Sequence, residues 1–263
     1  MKEELTIVKV GGKVLENDSN KAIFLDSFSK ISGKKILVHG GGVLADRLLE
    51  KQGIAPQMKN GRRITDEQTL ETVIMTYGGL VNKQLVANLT AFGIQAVGIT
   101  GADGLTVQSV KRPAKPVDYG YAGDVVAINT GLTNLLLQGD FLPVIAPLSI
   151  TAEGQLLNTN ADTMACRIAM ACSEKYKVNL VYSFELIGVM KDMKDPATLI
   201  QSLTTIRYKE MTGKGLIYEG MIPKLDNAFL ATEHTAKTLI THFSNLHEAL
   251  TGNNDQYTKI LSS

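Results

Sequence analysis

Short apolar, β-rich runs alternate with longer amphipathic stretches along this chain. The runs predict strands at Leu5–Val10, Lys35–His39, Ala96–Thr100, Phe141–Ala146, Asn179–Ser183 and Thr238–His242. The stretches between them predict helices near Ala22–Lys30, Leu44–Gln52, Asp66–Phe92, Thr130–Gln138, Asp162–Cys172, Thr198–Thr212 and Met221–Glu233. Such alternation predicts an α/β fold of parallel strands with helices on both faces of the sheet. Ligands of open sheets of this kind sit beyond the carboxyl ends of the strands, so the strand ends are the places to search.

Two regions break the alternation. Val107–Val126 carries "KRPAKPVDYGYAGDVV", whose Pro, Gly, Tyr and Asp content predicts a β-hairpin excursion, either a plain surface loop or one that carries function. Gly213–Gly220, "GKGLIYEG", is bounded by glycine before a helix and reads as a mobile loop. Bulk properties then narrow the class. A chain of 263 residues, 44% hydrophobic and with a net charge of +1, is long enough for a sizeable core and has no basic stripe for nucleic acid. No stretch approaches the roughly 18 apolar residues of a membrane span, and no secretory signal is evident, which predicts a cytoplasmic protein. Cys166 and Cys172 share one apolar helical pattern and are expected to be buried hydrophobes. His234, His242 and His247 show no metal-ligand spacing, and no metal-binding residues are expected.

The chemistry concentrates at strand ends. The first strand runs into Gly11 and Gly12, and the second into "HGGG", His39 to Gly42. Neither turn matches a P-loop or a dinucleotide fingerprint. Both could be tight turns alone, or their N–H groups could form a concave anion site beside a helix N-terminus. Lys9 lies inside an apolar strand, where an unpaired ammonium is costly. It either snorkels to water or points at an anion at the strand end, and its place beside the glycines suits a phosphate. Asn158, Asn160 and Asp162 alternate into the start of a helix; one would suffice as a cap, whereas three suggest a polar surface offered to a ligand. Lys224 stands near a helix N-terminus, where the dipole disfavours a cation unless an anion is close. His39 is placed to orient the glycine loop through a ring hydrogen bond.

Taken in order, "KVGG" at 9–12, "VHGGG" at 38–42, "NGRRITD" at 60–66, "NKQL" at 82–85, "VGITGADG" at 97–104, "YGYAGDV" at 119–125, "LNTNAD" at 157–162 and "GMIPK" at 220–224 resemble the amino acid kinase family, nearly end to end. "HGGG", "NGRRIT" and "NTNAD" together are most similar to the branch acting on N-acylated glutamate. The resemblance implies a three-layer α/β/α sandwich with a mainly parallel sheet, forming one domain. Within it, about 1–175 would bind the acylamino acid and about 176–263 would bind ATP. Lys9 and Lys224 would stabilise phosphoryl transfer, Asp162 would hold both lysines, and Gly12, Gly41 and Gly42 would offer N–H groups to the phosphoryl. Arg63 and Asn158 would bind the glutamate moiety, and Asn160 would line the junction. Glu185, Leu186, Gly188, Met190, Leu216 and Tyr218 would border the nucleotide, with Mg²⁺ held mainly by its phosphates. A role in arginine biosynthesis as a homodimer is implied. Arginine-inhibited members carry an extra N-terminal helix; with eight residues before Lys9, insensitivity to arginine is expected.

The chain departs from the pattern in places. Arg62 precedes the substrate arginine where an apolar residue is usual. It is either a solvated cation or a second guanidinium for an extra carboxylate, as in a succinyl rather than an acetyl group. Phe184 and Glu185 replace a small hydroxyl residue and Asp, which leaves the nucleotide contacts open.

Overall fold

The computed structural model describes residues 2–192, 194–217 and 219–262. In chain order the elements are β1 (Glu4–Val10), α1 (Gly12–Glu16), α2 (Asp18–Ser29), β2 (Lys34–His39), α3 (Gly42–Lys51), β3 (Met58–Lys59), β4 (Arg62–Arg63) and α4 (Glu67–Val73). A π-helical segment, Ile74–Val81, joins α4 to α5 (Asn82–Thr90). There follow β5 (Ala96–Ile99), β6 (Val107–Lys111), β7 (Ala122–Ile128), α6 (Gly131–Gln138), β8 (Leu142–Ile145), β9 (Leu148–Ile150), β10 (Leu156–Thr159) and α7 (Ala161–Cys172). The rest comprises β11 (Lys177–Phe184), β12 (Ser202–Thr204), α8 (Thr205–Gly213), α9 (Ile222–Thr232), β13 (Lys237–His242), α10 (Leu246–Thr251) and β14 (Tyr257–Leu261).

Eight strands form the central sheet, in the order β12-β14-β13-β11-β1-β2-β8-β5. Its six inner and right-hand members are parallel; β14 runs antiparallel to β13, and β12 follows β14. The period of two along β1 sorts its side chains between two helix layers. Leu5 and Ile7 join the core under α7 and α9, while Val8 and Val10 join that of Phe24 and Phe28 on α2 and Leu85 and Leu89 on α5. The result is the three-layer α/β/α sandwich. A small closed barrel of β10, β7, β6 and β9 stands over it, and β6 and β7 are the antiparallel arms of the expected hairpin. Cys166 and Cys172 are free and buried, and burial pushes each thiol up to about 12. No helix among the described residues is long and apolar enough to cross a membrane.

All six predicted strands are present. Two helix expectations need correction. The Asp66–Phe92 stretch is two α-helices separated by a π-helical segment that holds the glycine pair Gly78-Gly79. The Thr198–Thr212 stretch is a strand followed by a helix. Ser202–Thr204 pairs with β14 instead of coiling, and Thr204 caps α8 by accepting from the Arg207 N–H. Threonine's β-branched side chain favours that edge position, and the pairing partner lies more than fifty residues away, beyond the reach of local periodicity.

Past the end of β11 the backbone is clamped to β14. The Val189 N–H donates to Thr258 Oγ1 at 2.8 Å, and that hydroxyl donates to the Ile200 carbonyl at 2.6 Å. A methyl at Gly188 would lie 2.6 Å from Thr258 Oγ1 and 2.7 Å from Leu199 Cδ1. Gly188→Ala is therefore expected to destabilise the protein by about 1–3 kcal/mol in urea unfolding. Unchanged stability would show that this clamp yields freely.

Candidate active site

The register of three neighbouring strands builds the site. Lys9 pairs with Val38 of β2 on one side and Tyr182 of β11 on the other, so β1 and β2 end side by side. Their glycine turns therefore meet. Gly40 N–H donates to Val10 O at 3.0 Å, and Gly11 N–H donates to Ser183 O at 3.1 Å. A Cβ on Gly12 would lie 3.2 Å from Gly41 N and 3.3 Å from Gly42 N; one on Gly40 would lie 2.9 Å from Gly12 N. Gly41 lies under Tyr77, whose ring would be 2.8 Å from an added Cβ. The glycines are thus bare first because two main chains press together. The N–H groups of Gly12, Gly41 and Gly42 have no acceptor among the described residues. Gly42 opens the ten-residue α3, whose dipole adds positive potential at the same point.

Lys9 shares the face of Leu5 and Ile7 and so meets α7. Its Nζ lies 2.8 Å from Asp162 Oδ1, and Lys224 Nζ donates to Asp162 Oδ2 at 2.7 Å. Lys9 and Asp162 are 6% and 5% exposed, so these are charges in a poorly solvated place. Burial pushes the Lys9 ammonium down to about 8, against the pull of Asp162 and with the push of Lys224. Burial alone would raise Asp162, but the two ammoniums outweigh it and hold the carboxyl well below its usual range. For Lys224, burial is outweighed by Asp162, and its pKa is raised. The carboxylate therefore stays ionised, with one oxygen against each ammonium.

Lys9, Gly12, Gly41, Gly42, Arg62, Arg63, Asn158, Asn160 and Asp162 line one cleft of about 240 Å³, together with Lys13, Met58 and Tyr77. Each reaches it differently. Arg63 is buried on β4; it pairs with Asp46 and donates to the Gly42 carbonyl at 3.0 Å, which ties it to the glycine turn. Asp46 and Tyr77 offset the burial of Arg63 and keep its pKa raised. Asn158 Nδ2 donates to Thr65 Oγ1 at 3.0 Å, whereas Asn160 caps α7 by accepting from the Thr163 N–H at 3.0 Å. Of the Asn-Asn-Asp series, Asn160 is the cap, and all three residues line the cleft. Arg62 is not simply solvated. It is half-buried on the cleft wall, and burial and nearby Arg112 lower its pKa. Arg112 itself pairs with Asp124 at 2.9 Å.

The expected nucleotide residues lie apart from this cleft. Glu185 follows the end of β11, is exposed, and acts electrostatically on Lys224 and His242. Leu186 packs on the main core, Gly188 is buried against Thr258, Met190 bridges Leu199, and Leu216 is exposed. Tyr218 lies outside the described residues. Sequence patterns give no notice of Tyr77, Asp46 or Thr65. Tyr77 sits in the π-helical segment, whose extra residue per turn changes which side chain faces inward. Burial pushes its phenol up, so it remains a neutral hydroxyl beside Arg63.

The amino acid kinase family profile matches residues 4–242. An acetylglutamate kinase of Phocaeicola vulgatus is 49% identical over 249 residues, covering 94% of this chain and 97% of that one. An acetylglutamate kinase of Bacteroides thetaiotaomicron is 48% identical over 231 residues, covering 88% and 90%. A structure of carbamate kinase from Giardia lamblia bound to AMP-PNP superimposes with a TM-score of 0.71 at 17% identity, covering 99% of each chain; at that identity it speaks to the fold alone.

Removing the carboxylate tests the triad directly. Asp162→Leu leaves two buried ammoniums without a counter-charge and is expected to cost about 3–5 kcal/mol in urea unfolding near neutral pH. Adding Lys9→Met to it should restore part of that loss. Equal stability of Asp162→Leu and the parent would show that neither lysine depends on this carboxylate.

Proposed function

The chain belongs to the amino acid kinase family, and from that premise we propose that it transfers the γ-phosphoryl group of ATP to the side-chain carboxylate of an N-acyl-L-glutamate. The observation that carries this reading is one buried carboxylate holding two ammoniums beside a cradle of three unpaired glycine N–H groups. A transferring phosphoryl spreads negative charge over its oxygens and asks for positioning and charge stabilisation. Lys9 and Lys224 supply cations from two sides, and Gly12, Gly41 and Gly42 supply fixed dipoles. The acceptor carboxylate has a pKa of about 4 when free, so it is already a nucleophile at neutral pH and needs no base. Asp162 keeps the lysines charged and apart. The product is an acyl phosphate.

Arg63 and Asn158 face the same cleft and offer a guanidinium and an amide to the glutamate moiety, with Asn160 at its junction. About 1–175 forms the acylamino-acid lobe in this reading, and about 176–263 the nucleotide lobe. Glu185, Leu186, Gly188, Met190 and Leu216 border the nucleotide in this reading, and Tyr218, expected with them, lies outside the described residues. Mg²⁺ neutralises charge on the nucleotide phosphates when bound. The nucleotide phosphates are its main ligands in this reading. The 44–49% identity to acetylglutamate kinases supports acetyl as the acyl group, and arginine biosynthesis is the setting in this reading. Arg62 favours a second reading. A half-buried guanidinium on the cleft wall, beside Arg112, suits an additional carboxylate such as that of a succinyl group. We also propose a homodimer, because β5 is an open sheet edge, the helical stretch before it exposes Met75 and Leu80, and the turn that follows exposes Phe92.

Trapping the product with hydroxylamine tests the reaction. N-acetyl-L-glutamate or N-succinyl-L-glutamate with ATP should yield a hydroxamate, and free L-glutamate should not; activity on free glutamate alone would overturn the reading. If the succinyl compound is preferred, Arg62→Leu should cost it about tenfold in kcat/KM, or roughly 1.4 kcal/mol, relative to the acetyl compound. An unchanged preference would remove Arg62 from specificity. The pH profile tests Lys9. Its ammonium is the useful form, so kcat/KM should fall as pH rises through about 8, and a profile flat to pH 10 would contradict the assignment.

A further inference from the structure

His39 is fully buried at the end of β2, next to the glycine turn that its ring is expected to orient, and the phosphotransfer chemistry above does not use it. Its surroundings define one hydrogen-bond path. The Val144 carbonyl of β8 can only accept, so the Asn82 side chain must turn its Nδ2 toward it, at 2.9 Å. The same Nδ2 lies 3.1 Å from His39 Nε2 and donates its second hydrogen there. Nε2 is therefore the acceptor, and the proton sits on Nδ1. Nδ1 lies 2.9 Å from the Gly40 carbonyl and donates to it. Burial pushes the imidazole down to about 4, so the ring keeps this neutral tautomer at any working pH.

The peptide that follows matters for the site. The Gly40 carbonyl and the Gly41 N–H belong to one trans unit and point in opposite directions. Glycines flank that unit on both sides, and glycine tolerates either orientation of the plane. Turned over, the unit would present a carbonyl oxygen, in place of an N–H, to an anion in the cleft. We propose that His39, oriented by Asn82, is a positioning residue that locks the Gly40–Gly41 peptide so that its N–H faces the transferring phosphoryl. The surrounding sequence fits this role. A Cβ on Gly98 of β5 would fall 1.9 Å from Asn82 Oδ1, so Gly98 is bare to admit the Asn82 side chain. Lys83, the next residue, donates to the Gly98 carbonyl at 2.8 Å and fastens α5 to the same strand. The "NKQL", "VGITG" and "HGGG" segments are thereby parts of one device.

The proposal rests on the phosphotransfer reading, but its first test needs no turnover. Nitrogen-15 shifts of the His39 ring in the unliganded protein should show Nδ1 protonated and Nε2 bare; the opposite tautomer, or an imidazolium at neutral pH, would overturn it. Kinetics come second, against a wild type already shown to be active. His39→Asn keeps an amide donor near the Nδ1 position and should retain kcat within about threefold. His39→Gln places its donor near Nε2 and should lose tenfold or more in kcat, with KM for both substrates changed less than threefold. Asn82→Ala should lower kcat several-fold, and should add nothing on top of His39→Gln. Equal losses in the Asn and Gln variants that track thermal stability, or additive losses in the double variant, would reduce His39 to a packing role.

Discussion

Everything at this site depends on one buried carboxylate that answers to two ammoniums. Asp162 reaches Lys9 from the middle of the sheet and Lys224 from α9, residues 215 positions apart in the chain. Each partner alone would be costly to bury, since an isolated charge in a low-dielectric interior loses several kcal/mol of hydration. Together they leave one net positive charge, held still, at the ends of β1 and β2. A rigid cation of that kind stabilises charge as it develops without having to reorganise.

Around that triad the fold arranges dipoles. Parallel pairing of β1 with β2 brings two glycine turns into contact, and the contact itself requires bare Cα atoms. Gly12, Gly41 and Gly42 then line the same cleft as Lys9, at the start of α3. Arg63 on β4 is tied to this cradle through the Gly42 carbonyl, so two walls of the cleft share one hydrogen-bond framework. The His39–Asn82 path fixes the same turn from behind, through the core. Charge, dipoles and the buried Arg63 guanidinium are thus coupled through a few main-chain atoms.

Much of this is readable in the sequence. Lys9 breaks an apolar strand pattern, and the period of two puts it on the face of Leu5 and Ile7, toward the helix that Asp162 opens. The glycine runs mark strand ends, and the Asn158–Asp162 alternation marks a helix start with more polar groups than a cap needs. Other features are not readable because they depend on distant partners. Arg63 needs Asp46, Asn158 needs Thr65, and Thr204 needs β14, and no local pattern announces such pairings. Tyr77 is hidden for a different reason, since its π-helical segment departs from the 3.6-residue period used to find inward faces. Arg62 shows the reverse case. A lone arginine reads most simply as a solvated cation, and only the surrounding structure places it in the cleft wall.

A structure determined with ADP, N-acetyl-L-glutamate and aluminium fluoride, a mimic of the transferring phosphoryl, tests the central arrangement most directly. The fluoride ligands should lie within hydrogen-bond distance of the Gly12, Gly41 and Gly42 N–H groups and of both lysine ammoniums, with Asp162 still bonded to each lysine. A mimic seated elsewhere, or one that separates Asp162 from Lys9 or Lys224, would contradict the triad as the charge-stabilising centre.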